Sequence, residues 1–477
     1  MEASRGREKD GQAGGQDEKL GSAPLGRLIA SMALPAVAAQ IINVLYNIVD
    51  RIYIGHIEGY GDMALTGVGV TFPILMVITA FSAFAGMGGA PLASIQLGKK
   101  NYQAAEEILG NCVGMLLIFS ALLTVLFSIF KTPVLYAFGA SEMTIMYAEQ
   151  YIGIYLIGTV FVQTAVGLNT FISGQGAART AMLSVLIGAV INIILDPIFI
   201  FLFKMGVRGA ALATIISQAV SAAWVLRFLT SKRSVIRIRM KYIRLNPGTV
   251  GSIAALGISP FIMQSTESLV MITLNSGLQK YGGDLYVGSM SILSSIMQLI
   301  VVPAQGISQG IQPIISYNFG AGNRDRVKGA FIRMISVCFL MTFIFAGIAI
   351  IRPEIYVGIF TENPDLIRLT CQVMPVYFLG ITIFGIQLGC QSTFLALGQS
   401  VVSLIIALLR KVIFLIPLAI LLPKFMGVMG IYRAEPVADV TSVIITVILF
   451  LITAKKILRN EEKDVMIGKN NNLEGRA

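Results

Sequence analysis

The stretch GGAPLASIQLGKKN at 88–101 and its answer QGIQPIISYNFGAGN at 309–323 decide the fold, because they are one element written twice. Pro91 and Pro313, Gly98 and Gly320, and Asn101 and Asn323 each stand 222 residues apart, and the same offset relates Asp62 to Asp284. FKMGVRGAA at 203–211 is answered in the same manner by KFMGVMGIY at 424–432. Pro35 and Pro260, 225 apart, put a helix-kinking residue at matching places in the two halves.

The text around these elements is apolar on every side. The chain has 477 residues, of which 55% are hydrophobic and only 13% charged, with a mean hydropathy of +0.78. A soluble chain carries about a quarter charged residues, because each helix needs a wet face. Here twelve runs are each long enough to cross a bilayer, which takes about 20 residues of helix. They lie at 25–54, 62–96, 104–130, 142–172, 180–204 and 208–230, then at 249–279, 285–317, 327–351, 364–396, 401–422 and 428–457. Both copies of the duplicated element close the second span of their half, so the repeat is parallel, about an axis along the membrane normal. The expected fold is an all-α membrane protein of twelve transmembrane helices, arranged as two pseudo-symmetric six-helix lobes around a central cleft.

The expected organisation is a disordered cytoplasmic tail over 1–21 without a signal-peptide pattern, an N-lobe over 22–230, a basic linker over 231–248, a C-lobe over 249–457 and a second cytoplasmic tail over 458–477. Lys and Arg on the tail-and-linker side outnumber those on the other side by better than two to one, which places both termini in the cytoplasm. The linker, SKRSVIRIRMKYIRLNPG, is the longest basic stretch, read either as a positive-inside connector or as an anionic-lipid site. The net charge of +11 is dispersed over such short segments, so no nucleic-acid partner is expected.

Enzyme chemistry finds little to work with. Cys112, Cys338, Cys371 and Cys390 lie in apolar stretches without paired spacing, and His56, the one histidine, stands at a span's edge. No metal set or nucleophilic triad is expected. GMGGA at 86–90 and GVGV at 67–70 are helix-packing glycines inside spans, and no Walker A sequence appears, so energy must come from an ion gradient.

Carboxylates inside apolar helices cost about 2.5 to 3.5 kcal/mol each, so each needs a partner, a wet cavity or a proton. Asp50 ends the stretch AAQIINVLYNIVD, whose spacing brings Asn43, Tyr46 or Asn47, and Asp50 to one helix face, with Gln40 preceding them. Asn192 and Asp196 are four apart on the fifth span, and Thr214 lies just inside the sixth. Counted from the helix ends, Asp50, Asp196 and Thr214 fall at similar depths and share a candidate pocket. That pocket either holds a proton or Na⁺, or else binds helices together through permanently protonated acids. In the second half, Glu267 shares a face with Met263, Gln264 and Met271, which suits a large cationic or aromatic ligand or plain packing. Glu435 and Asp439 are expected to pair with nearby Arg433, and Arg410 and Lys411 in span eleven to snorkel or pair. The polar inventory is asymmetric: Asn275 answers Asp50, and Glu267 is matched by Ile42.

LYNIVDRIYIGH (45–56), APLASIQLGKKN (90–101), NIILDPIFIF (192–201) with GVRGAALAT (206–214), and QGIQPIISYNFGAGNRDRVKGAF (309–331) together resemble the multidrug and toxic compound extrusion (MATE) family over about residues 25–457. The last string looks most like its bacterial MepA-type branch. The resemblance implies that Asp50, Asn192, Asp196 and Thr214 form the cation or proton site, and that Glu267 matches a seventh-helix glutamate which other branches use in coupling. Where the sodium-coupled branch has a tenth-helix Asp, this chain has TIFGIQLGCQSTF (382–394), with Phe384 and Gln387 but no acid, which moves the expected coupling centre to the N-lobe. The implied activity is H⁺- or Na⁺-coupled export of organic, mostly cationic or amphipathic compounds by alternating access. The expected form is a monomer without cofactors in a bacterial plasma membrane, with a substrate cavity at Gln40, Asn43, Tyr46, Asn47, Gln264, Glu267, Met271 and Asn275. The rival activities are lipid-linked saccharide flipping, which wants a cationic cleft, and ion conduction.

Overall fold

A computed structural model describes the backbone of residues 14–474 and the side chains of residues 18–453. The apolar runs are helices: ten are long and apolar enough to cross a membrane, and two bent pairs bring the spans to twelve. In the first half these are α2 (Leu25–Gly55), α3 (Gly61–Gly98), α4 (Tyr102–Ala137), the pair α5 (Ile145–Ile157) and α6 (Thr159–Gly174), α7 (Ala178–Pro197) and α8 (Val207–Thr230), after a short α1 (Gly14–Ser22). In the second half they are α9 (Pro247–Gly282), α10 (Asp284–Gly320), α11 (Arg324–Ile351) with a short α12 (Pro353–Val357), and the pair α13 (Pro364–Tyr377) and α14 (Ile381–Ala396). A broken eleventh span of α15 (Ser400–Leu408), α16 (Ile416–Leu421) and α17 (Pro423–Met426) follows, then α18 (Val428–Glu474).

The duplication shows in the irregularities as well as in the helices. The fourth span of each half is bent, by 61° between α5 and α6 and by 51° between α13 and α14. The fifth span of each half contains a π-helical turn, Ile198–Leu202 beyond α7 and Leu409–Leu415 between α15 and α16. Such turns disturb the regular hydrogen-bond ladder and are frequent where a helix carries functional groups. Gly206, with φ 55° and ψ −133°, precedes α8, and Gly427, with φ 60° and ψ −150°, precedes α18. A side chain would be strained in that conformation, which is why both copies of the repeat keep glycine there.

The two lobes are joined at one end only. One apolar core runs through both at the end bearing the basic linker, where Met32, Ala85 and Leu109 of the first lobe meet Ile311, Tyr317 and Met334 of the second. At the far end each lobe keeps its own core, around Ile74, Tyr151 and Ala210 in the first and around Leu293, Tyr377 and Tyr432 in the second. The separation of the far-end cores forms the cleft. At the joined end the repeated glycines let backbones touch. A Cβ on Gly98 would lie 2.0 Å from the Tyr317 carbonyl oxygen, and one on Gly320 would lie 2.0 Å from that of Ile95. Above this contact Phe261 of α9 packs edge-on against Phe81 of α3, at 4.9 Å between ring centres.

Two polar segments are more ordered than their composition suggests. Residues 14–21, expected in a disordered tail, belong to α1, whose Leu20 is buried. The Leu20 carbonyl accepts hydrogen bonds from Asn318 Nδ2 (2.9 Å) and Arg326 NH2 (3.1 Å), so the backbone is held by the second lobe although α1 leads into the first. The expected tail before residue 14 lies outside the described residues. The linker is tied to the first lobe by Arg239 Nε to Glu106 Oε2 (2.5 Å), Val235 N to Gln175 Oε1 (2.7 Å) and Asn246 N to Asn111 Oδ1 (2.8 Å).

Candidate functional site

The polar stripe on α2 faces α7. There Asp50 of α2 and Asp196 of α7 stand side by side. Asn192, one turn before Asp196, donates its Nδ2 to Asp196 Oδ1 at 3.3 Å. Three buried acceptors then make no hydrogen bond among the described residues: Asp50 Oδ1, Asn192 Oδ1 and Asp196 Oδ2. Buried acceptors are ordinarily satisfied. Three such acceptors on the facing helices α2 and α7 are suited to a proton or a small hard cation. Pro197 and the π turn follow Asp196 directly, so the helix is irregular where it delivers its acid.

Thr214 reaches this group indirectly. Its hydroxyl donates to the Ala210 carbonyl at 3.0 Å, and Tyr151 of α5 stands near both Thr214 and Asp50. Tyr46 stands one turn before Asp50 on the same helix. Sequence reasoning missed Tyr151 because the fourth span bends beside it, and no local pattern predicts which face such a half-helix turns inward.

The cavity residues separate by depth. Gln40 donates Nε2 to Gln309 Oε1 of α10 at 2.8 Å, which makes it part of the contact between lobes. Asn47 is exposed and donates to the Asn43 carbonyl at 2.7 Å, and Asn43, Met271 and Asn275 are half-buried. Gln264 Oε1 is buried and makes no hydrogen bond among the described residues.

In the second lobe the charges pair differently from expectation. Glu435 and Asp439 pair with Arg410, not with Arg433: Arg410 NH2 lies 2.7 Å from Glu435 Oε1, and its Nε lies 2.5 Å from Asp439 Oδ1. Arg433 instead contacts the Met426 sulfur at 3.4 Å. The reason is burial. Arg410 is carried inward on the π turn, its guanidinium 4.5 Å above the Phe384 ring, and a cation so placed takes the buried acids of the facing helix. Lys411 next to it makes an ion pair with Glu267 and donates to the Met263 carbonyl at 2.7 Å. Glu267 is therefore a neutralised acid whose side chain remains 46% exposed. The signal was present in the sequence: two cations in an apolar span demand acids within reach.

Two lobes of six spans joined at one end, a cleft between their far halves, and a buried acid pair in one lobe define a polytopic helical membrane protein of the transporter class. The chain belongs to the MatE family, whose model matches residues 35–198 and again 260–421, once in each half of the duplication. It is 26% identical over 434 residues to a protein of Staphylococcus aureus (strain MSSA476) called multidrug export protein MepA, covering 89% of this chain and 94% of that one. It is 25% identical over 408 residues to the protein of that name in Staphylococcus haemolyticus (strain JCSC1435), covering 85% and 89%. Its fold matches a crystal structure described as MATE in the bent conformation, with a TM-score of 0.87 at 21% identity, over 93% of this chain and 98% of that one.

Proposed function

We propose that the chain is an ion-coupled antiporter that exports organic cationic or amphipathic compounds from a bacterial cell across the plasma membrane, with the first-lobe acid pair as its ion switch. The observation that carries this reading is the set of partnerless oxygens on Asp50, Asn192 and Asp196. Buried acceptors left unpaired want a positive charge, and H⁺ or Na⁺ supplies it. The names of the Staphylococcus relatives, both multidrug export proteins, support export as the task.

The linker face is cytoplasmic in this reading, with both termini on that side, since it carries the excess of Lys and Arg. The joined end then closes the cleft to the cytoplasm, and the structure corresponds to the outward-open state. A substrate in the cleft meets Asn43, Asn47 and Tyr46 on one wall and Gln264, Glu267, Met271 and Asn275 on the other. Ion entry at Asp50 and Asp196 weakens substrate binding because both ligands bias one equilibrium between lobe arrangements. The chain acts as a monomer without a cofactor. A flippase for pyrophosphate-bearing lipids is disfavoured by the second lobe, whose buried cations Arg410 and Lys411 are both engaged by carboxylates.

The test is accumulation of tetraphenylphosphonium in inside-out vesicles under a proton gradient or a sodium gradient imposed separately. Accumulation driven by one gradient and absent from Asp50→Asn vesicles is the expected result. Accumulation equal in wild type and Asp50→Asn, or driven by neither gradient, refutes the reading.

A further inference from the structure

The second lobe has more buried negative charge than its cations neutralise. Lys411 is committed to Glu267 and the Met263 carbonyl, which leaves Arg410 to serve both Glu435 and Asp439. Glu435 is 2% exposed and Asp439 is fully buried, so water cannot supply what Arg410 lacks. The deficit has an address. Asp439 Oδ1 takes the Arg410 bond, while Asp439 Oδ2 makes no hydrogen bond among the described residues and points to the break in the tenth span, 2.8 Å from where a Gly380 Cβ would stand. Ser442, one turn farther along the same face of α18, is fully buried and its hydroxyl also makes no hydrogen bond among the described residues.

The duplication aligns one member of this cluster, Glu435, with a member of the first-lobe site. Gly206 and Gly427 share an unusual backbone conformation and stand 221 residues apart, as do Gly209 and Gly430. In that register Glu435 is the repeat partner of Thr214. In each lobe the fifth span brings a charged group beside a π turn, Asp196 in the first and Arg410 in the second, and the sixth span supplies a polar residue at the matching place.

We propose that Glu435 and Asp439, bridged by Arg410, form a second ion site that takes up one positive charge, a proton or a monovalent metal cation, at the free Oδ2 of Asp439. This rests on the reading of the chain as an ion-coupled carrier and adds a second place where coupling occurs. The groups that set the local field are Arg410, Glu435, Glu267, Lys411 and the buried Tyr377. With the ion bound, Asp439 no longer needs Arg410, and the guanidinium is released to Glu435 alone. That release acts at the bend of the tenth span, because Asp439 packs against Gly380.

Infrared difference spectroscopy on purified protein in lipid, stepped from alkaline to acidic pH without sodium, reads protonated buried carboxyls directly. A variant without the first site, Asp50→Asn/Asp196→Asn, is expected to keep one such signal, and adding either Asp439→Asn or Glu435→Gln is expected to remove it. Sodium added at fixed pH erases the signal if a metal cation shares the site and leaves it unchanged if only a proton binds. Either behaviour supports the site. No remaining carboxyl signal and no sodium-dependent change in Asp50→Asn/Asp196→Asn overturns the second site while leaving the first intact. A wild-type signal untouched by Asp50→Asn/Asp196→Asn removes the first site's role and leaves the second. Thermal unfolding of each variant separates loss of the signal from loss of the fold.

Discussion

Replacing Gly98 with alanine should open the joined end of the molecule. The added Cβ would stand 2.0 Å from the Tyr317 carbonyl oxygen, and the repeat-related contact, Gly320 to the Ile95 oxygen, is also 2.0 Å. Carbon and carbonyl oxygen approach to roughly 3.3 Å, so α3 and α10 must part by about 1.3 Å at this point. Overpacking of this kind costs about 1 to 3 kcal/mol, which shifts the equilibrium between joined and parted ends by roughly 5- to 150-fold. Neighbouring contacts should fail with it, among them Lys100 Nζ to Tyr317 Oη at 3.1 Å and Gln40 to Gln309 at 2.8 Å. The assay is the distance distribution between spin labels at Arg179→Cys and Lys328→Cys, both exposed on the linker face and one in each lobe, with Cys371→Ser to limit labelling to the new sites. Gly98→Ala is expected to broaden that distribution toward longer distances, and Gly98→Ala/Gly320→Ala to carry it further. A folded Gly98→Ala protein with the wild-type distribution would refute the idea that glycine-mediated backbone contact closes this end.

Other substitutions test the packing beneath the site. Arg410→Gln leaves Glu435 and Asp439 buried without their cation and should destabilise the protein by about 3 to 5 kcal/mol, measured by thermal unfolding in detergent. The deficit should shrink as pH falls, since a protonated carboxyl needs no guanidinium, and a deficit constant across pH would contradict the pairing. Gln391→Leu removes a donor that Ser259 Oγ (2.9 Å), Ser403 Oγ (2.9 Å) and the Ser403 carbonyl (3.1 Å) all share, joining the seventh, tenth and eleventh spans. It should cost about 1 to 3 kcal/mol by the same measurement. Asn318→Ala/Arg326→Gln unties the Leu20 carbonyl and should speed proteolytic cleavage within 14–22, with unchanged cleavage counting against the docking of α1 on the second lobe.

The fold was open to reading because the bilayer writes it in long apolar runs and the duplication writes it twice, down to Pro35 and Pro260 at the start of each matched segment. The placement of the first-lobe acids was open as well, since Asp50, Asn192 and Asp196 are costly residues at helical spacing and their helices pack together. The second-lobe charges were misread for a physical reason. Arg433 is closest to Glu435 in sequence, but Arg410, twenty-five residues away, is carried to it by a π turn that hydropathy does not reveal. The second lobe has its own charge cluster, built from other residue types, in keeping with an asymmetric polar inventory. Bends at Gly158 and near Gly380, and the docking of α1, depend on tertiary contacts that periodicity does not encode.

Counter-ion release on substrate binding tests the ion switch most directly. Purified protein in weak buffer, loaded with protons or with sodium, is given tetraphenylphosphonium while pH and free sodium are followed. A switch built on Asp50 and Asp196 predicts that one ion leaves as the organic cation binds, and that Asp50→Asn and Asp196→Asn each diminish the release while the protein stays folded. Release undiminished in both variants would contradict it.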